Sequence, residues 1–183
     1  ALPAAAQENA RESDHPLLHQ VAGDVSADAL HATIARLVGF GTRHSLSGNS
    51  SATRGIGAAQ AWVKSRFTEI SAGCGNCLTI DTPSENFTGT RVPASTAFMD
   101  VLAIQRGTTD PDRVIIIAGH LDSRNTDAMD AVHDAPGAND DGSGTAAVLE
   151  AARVLSMHKF PATLVVASLS GEEQGLYGGQ VLA

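Results

Sequence analysis

Two short apolar runs, Val114-Ile115-Ile116-Ile117-Ala118 and Leu164-Val165-Val166-Ala167, constrain this chain more than any other feature. Neither alternates between polar and apolar residues. Each therefore reads as a β-strand covered on both faces rather than one half-solvated. Between them, Thr145 to Ser156 has a small-residue-rich helical pattern, suited to lying close on a sheet. Strand, helix, strand in that order predicts parallel pairing through a crossover. Ionisable residues follow each strand at once: Gly119-His120-Leu121-Asp122 after the first, Gly171-Glu172-Glu173 after the second. The carboxyl ends of parallel strands are where open α/β sheets build their sites.

The remaining elements assemble around this pair. Ser26 is placed to cap a helix with Asp28 in its first turn, and Leu30, Ile34, Leu37 and Val38 share one face. Ile56, Ala59, Val63, Phe67 and Ile70 mark a second amphipathic helix, with Trp62 beside the seam. Leu78–Asp81 and Phe98–Gln105 read as strands of an antiparallel flank, joined by a Pro- and Thr-containing connection. Residues 121–142 form a long polar loop, and such loops inside a compact domain are usually functional. A further helix is expected from Glu173 onward. Residues 1–25 show no sustained period and read as an N-terminal arm, leaving 26–183 as one domain. The fold class is α/β: a mixed, largely parallel sheet flanked by helices on both faces.

Composition excludes several roles. Acidic residues outnumber basic ones, 20 to 12, for a net charge of −8. That argues against nucleic acid or an anionic membrane as partner. No apolar run approaches the roughly 20 residues of a membrane helix. Aromatics are only 4 %, so the core relies on Val, Ile, Leu and Ala. Cys74-Gly-Asn-Cys77 follows a helical pattern and precedes strand-like residues, the reverse of the order in a redox motif. It reads as a small structural disulfide of an oxidising compartment, with two free thiols in a turn as the alternative. The first Met is Met99, and the small residues at the start read as those of a processed chain, secreted or periplasmic.

His120 stands directly after one strand, Asp140 in the loop before the next helix, and Glu172 and Glu173 after the next strand. Parallel strands would bring all four to one sheet edge. Imidazole nitrogen and carboxylate oxygen are zinc ligands, and two metals can share a carboxylate. Asp122, two residues past His120 in an extended segment, is placed to accept the other imidazole N–H and fix the tautomer. Adjacent Glu172 and Glu173 suit a division between general base and ligand. Each residue also has a plainer reading: surface histidine, Asp-Asp-Gly turn, or acidic helix start. Their joint placement beyond successive strand ends favours the site. A serine hydrolase using Ser143, His120 and Asp122 is the competing chemistry, but Asp141 stands where a nucleophile elbow needs Gly.

At these residues the chain resembles the co-catalytic di-zinc aminopeptidase family of the bacterial leucyl aminopeptidase type. The resemblance rests on Gly-His-Leu-Asp-Ser at 119–123, Pro-Gly-Ala-Asn-Asp-Asp-Gly-Ser-Gly at 136–144 and Glu-Glu at 172–173. Gly-Thr-Arg-His at 41–44 and Arg-Gly-Ile at 54–56 add to it, so that it covers about 28–183. It implies a zinc-exopeptidase-like fold and two Zn2+ ions per complete site. His120 would hold one zinc, Asp140 would bridge both, and Glu173 would hold the second. Glu172 would be the general base and Asp122 the partner of the histidine. A cis peptide at Asp140–Asp141 is implied as well. The implied reaction is hydrolysis of the first peptide bond of a peptide with a free N-terminus, by a zinc-bound hydroxide.

The family takes two further ligands, an aspartate and a histidine, from segments downstream of the Glu-Glu pair. After Glu173 this chain has no His, Asp or Glu. Asp127, Asp130, His133 and Asp134, in the loop before Asp140, are the other side chains that could be recruited. Residues 26–183 thus read as a truncated catalytic domain whose C-terminal part is absent, possessing an incomplete site and leaving apolar strand surface and an open sheet edge. The missing portion would be its partner. Two other readings keep the fold: a non-catalytic binding module, and a glutaminyl-cyclase-like single-zinc transferase.

Overall fold

The computed structural model describes residues 15–183. Part of the expected arm is helical: α1 is Pro16–Gly23, with Pro at its first position and the His15 Nδ1 accepting the Leu17 N–H. The arm before residue 15 lies outside the described residues. Helix α2, Ala27–Val38, starts as the sequence predicts, with Ser26 Oγ accepting the Ala29 N–H at 3.1 Å. Helix α3, Ile56–Gly73, buries Ile56, Ala59, Val63 and Phe67, the stripe marked by its apolar spacing. Cys74 and Cys77 are joined in a disulfide just past its end.

The expected strand Phe98–Gln105 is two strands in two sheets. Strands β2 (Ser84–Gly89) and β3 (Val92–Met99) form an antiparallel hairpin within the segment read as a plain connection. Strand β1 is Thr79–Asp81, and β4 (Val101–Gln105) pairs with it in the main sheet. The chain changes sheets at Asp100, whose N–H donates to Pro83 O at 3.0 Å and whose carboxylate accepts the Ser170 N–H at 2.9 Å. The hairpin escaped the sequence reading because most of β2 is exposed, with Phe87 the main apolar signal.

The main sheet has the order β1-β4-β6-β5, where β5 is Asp110–His120 and β6 is Ala162–Leu169. Strands β4 and β6 are antiparallel, and β5 and β6 are the parallel pair, joined through α4, Gly144–Leu155. Helices α3 and α4 pack on the sheet over a core that includes Val63, Phe67, Val101, Val148 and Val166. The expected covering of both strands holds for β6, buried almost throughout, and fails for β5. Val114 and Ile116 are each 52 % exposed and Ile115 43 %. The reason is position: β5 is the sheet's edge, with a neighbour on one side. After β6 come α5, Glu172–Gly175, and α6, Tyr177–Leu182. Among the described residues no helix is long and apolar enough to cross a membrane.

Candidate metal centre

Strands β5 and β6 run in register with His120 opposite Leu169, and the Leu121 N–H donates to Leu169 O at 2.7 Å. Both strands therefore end at one level. His120 emerges from the first, and Ser170-Gly171-Glu172 turns out of the second. Gly171 has φ +75°, and a Cβ there would lie 2.2 Å from the Phe98 ring, so the turn needs glycine.

Asp122 is fully buried and ties the two strand ends together. Its Oδ1 accepts the Glu172 N–H at 3.2 Å, and its Oδ2 accepts the Glu173 N–H at 3.1 Å and the Ser45 hydroxyl at 2.9 Å. A carboxylate thus satisfies the free N–H groups that open α5. The sequence reading gave this carboxylate the imidazole proton. In the structure His120 Nδ1 meets the main-chain carbonyl of Asp122 at 3.1 Å, with the carboxylate 3.5 Å away. The outcome for the ring is the same: a proton on Nδ1 leaves Nε2 facing the site.

His120 Nε2 lies 3.2 Å from Asp140 Oδ1, 3.8 Å from Glu172 Oε2 and 4.0 Å from Asp141 Oδ2. Burial disfavours the imidazolium, but Asp122, Asp141 and Glu172 outweigh it, and the His120 pKa is pushed up to about 9. The Glu172 pKa is also raised, first by burial and then by Asp122, Glu173 and Asp140, against the opposing pull of His120. Glu173 goes elsewhere. Its carboxylate meets Arg124 Nε at 2.5 Å, and its main-chain carbonyl accepts from Arg91 at 2.9 Å. The structure thus gathers His120, Asp122, Asp140 and Glu172, and leaves Glu173 on an arginine.

Among the described residues, no three His, Cys, Asp or Glu side chains converge as a metal-holding group. The donor chemistry nevertheless fits zinc. An imidazole oriented through its other nitrogen lies within 4.0 Å of carboxylates of Asp140, Glu172 and Asp141, and the negative charge that holds a proton on it would equally hold a cation.

Two residues given no role by the sequence reading organise the loop. Asp141 accepts the His120 N–H at 3.0 Å through Oδ2 and the Gly144 N–H at 2.8 Å through Oδ1. The Asp140–Asp141 peptide is cis, as the resemblance implied. Arg43, fully buried, donates to the carbonyls of Leu121, Leu37, Pro136 and Gly137 at 2.7–3.1 Å. It pins the end of α2, the end of β5 and the turn leading to Asp140. Burial lowers its pKa to about 10, while Asp122 and Asp141 hold it up, so it stays charged at neutral pH. One sequence signal was available: no Asp or Glu stands between Asp28 and Glu69, so Arg43 has no local counter-charge.

The loop carboxylates that could have been recruited are engaged elsewhere. Asp134 pairs with Arg54 at 2.7 Å, His133 with Asp130 at 2.9 Å, and Asp127 accepts the Met129 N–H at 2.9 Å. Ser143 donates its hydroxyl to Asn139 O at 2.7 Å, a main-chain bond rather than the histidine contact a serine nucleophile needs.

The chain is 44% identical over 167 residues to a probable zinc metalloprotease of Pyrenophora teres f. teres, covering 91% of this chain and 35% of the relative. It is 41% identical over 167 residues to one of Pyricularia oryzae, covering 91% and 33%. It therefore spans about a third of the length of the curated relatives it matches. The LapA aminopeptidase of Legionella pneumophila shares the fold with a TM-score of 0.62 at 21% identity, covering 90% of this chain and 41% of that one. A glutaminyl cyclase of Tannerella forsythia does so with a TM-score of 0.60 at 19% identity, covering 80% and 47%. The model of peptidase family M28 matches residues 100–183, the segment that holds the strand ends, the cis turn and the Glu-Glu pair.

Proposed function

We infer that this chain carries the base and part of the metal shell of a zinc aminopeptidase acting on peptides with a free N-terminus. The observation that carries the reading is the set of carboxylates around His120 Nε2, at the ends of two parallel strands, in a segment matching peptidase family M28. His120, Asp140 and Glu173 would hold zinc, with Glu173 released from Arg124. Bound there, zinc would acidify water and polarise the scissile carbonyl. Glu172 would take the proton of the attacking water and return it to the leaving amine, a task suited to its raised pKa. Asp122 would hold the start of α5 so that Glu172 faces His120. The disulfide supports an oxidising compartment and secretion.

These three ligands are fewer than two zinc ions require. The chain by itself is therefore expected to bind zinc weakly and to turn over slowly; two tightly held ions with full activity would contradict this. In a form extended to the length of the relatives, Glu172→Gln should lower hydrolysis of leucine p-nitroanilide by about 10²–10⁴-fold at unchanged zinc content. Unchanged turnover would reject the base assignment. Glutaminyl cyclases among the fold's neighbours favour a second reading, a single-zinc transferase. Cyclisation of an N-terminal glutamine peptide, without release of an amino acid, would select it.

A further inference from the structure

A cleft of about 530 Å³ lies between residues 45–49, the start of α3 and strand β3. It adjoins the carboxylate cluster through Ser45, whose hydroxyl donates to Asp122, but neither His120, Asp140 nor Glu172 lines it. No Asp, Glu, Lys, Arg or His lines it either, in a chain of net charge −8.

One wall of the cleft is a strand edge. Strand β3 pairs with β2 on one side. The side follows from alternation along an antiparallel strand. The Asp100 N–H donates to Pro83 O, towards β2, whereas Met99 O points away, accepting from Gln60 Nε2 at 2.9 Å and Ser170 Oγ at 2.7 Å. Ala97, two residues before Met99 and opposite Asn86, presents its N–H and C=O on the same side as Met99. That side is the cleft. Among the described residues neither main-chain group of Ala97 has a partner beyond the hairpin.

We propose that this cleft binds an extended, uncharged peptide segment, which adds to β3 as a third strand. Main-chain N–H and C=O groups at strand spacing are satisfied by another strand, which gives affinity without reading side chains. The uncharged lining offers no counter-charge, so the segment's inward side chains are neutral. Gln60, Ser45 and Asn49 supply the polar contacts, and Leu46, Ile56 and Met99 the apolar ones. This site does not depend on the catalytic reading.

The test is an NMR titration of the 15N-labelled chain with acetyl-Thr-Val-Thr-Val-amide, whose blocked ends keep it from serving as an aminopeptidase substrate. Saturable shifts are expected at the amides of Ala97, Met99, Ser45 and Gln60, larger than those at His120 and Glu172. Ala97→Pro removes the cleft-side N–H and spares the ladder to β2, and should weaken binding at least about tenfold. N-methylation of the peptide at alternate residues should abolish binding in one parity and be tolerated in the other. That comparison decides the matter even if the proline variant fails to fold. Absence of saturable shifts, equal affinity of a folded Ala97→Pro variant, or equal tolerance of both parities would overturn the proposal. It would also be overturned if a form extended to the relatives' length lost the binding, because its own chain would then fill the cleft.

Discussion

At the scale of residues, two buried ionisable groups hold the segments around the candidate centre in different ways. Arg43 satisfies four main-chain carbonyls drawn from three segments. Arg43→Met keeps much of its stem and strands those acceptors, each costing about 1–3 kcal/mol if left unpaired. Urea unfolding should therefore show a loss of at least about 3 kcal/mol, and a loss below about 1 kcal/mol would mean that water replaces the guanidinium. Asp100 is fully buried, with Oδ1 on the Ser170 N–H and Oδ2 unpaired. Burial, reinforced by Asp122 and opposed by the Ser170 bond, raises its pKa from 3.8 to about 7. Between those values the folded chain holds a proton that the unfolded chain has released. Stability is therefore fullest at acid pH and falls as the pH rises through 7, by at most about 1.4 kcal/mol per pH unit for one group. His120, with its pKa raised to about 9, adds a similar fall at higher pH. Asp100→Asn removes the first contribution, so its melting temperature should drop less between pH 5 and pH 8 than that of the parent. Parallel profiles would show that Asp100 is ionised throughout.

At the scale of elements, the turn between β5 and α4 is held by close backbone approach. A Cβ on Gly144 would lie 2.2 Å from Asp141 Oδ1, and one on Gly119 would lie 2.9 Å from the Gly144 carbonyl carbon. Gly144→Ala must displace the Asp141 carboxylate, which accepts both the His120 and the Gly144 N–H. It should lower zinc affinity by about tenfold or more, as loss of a ligand's support does, while circular dichroism shows the helices intact. Equal zinc affinity by competition with a chromogenic chelator would show that the turn adapts. The elements themselves were largely legible in the sequence. Ser26 announced α2, and the apolar stripe from Ile56 to Phe67 announced α3. Asp100 was read as a position within one strand because a switch between sheets leaves no local signal. It is made by partners from Pro83 and Ser170, distant in sequence.

At the scale of the whole molecule, the open edge of the sheet dominates. Val114, Ile115 and Ile116 stay about half exposed on β5, which has a single strand neighbour. An apolar edge strand invites pairing with another chain. The chain should associate as its concentration rises, and Ile116→Lys should shift sedimentation towards monomer without lowering the melting temperature by more than a few degrees. Monomer at all concentrations for both would show that the edge is blunted.

The sequence by itself determined the order strand, helix, strand, the parallel pairing and the convergence of His120, Asp140 and Glu172 beyond the strand ends. Those features follow from local patterns: unbroken apolar runs, a helical period and ionisable residues placed directly after strands. Only the tertiary structure decided that Asp122 caps α5 while its carbonyl meets the imidazole, that Glu173 turns to Arg124, and that Arg43 staples the loop. The physical reason is common to all three. A buried polar group takes whichever partner the fold brings within hydrogen-bond distance, and that distance is fixed by packing between segments far apart in the chain.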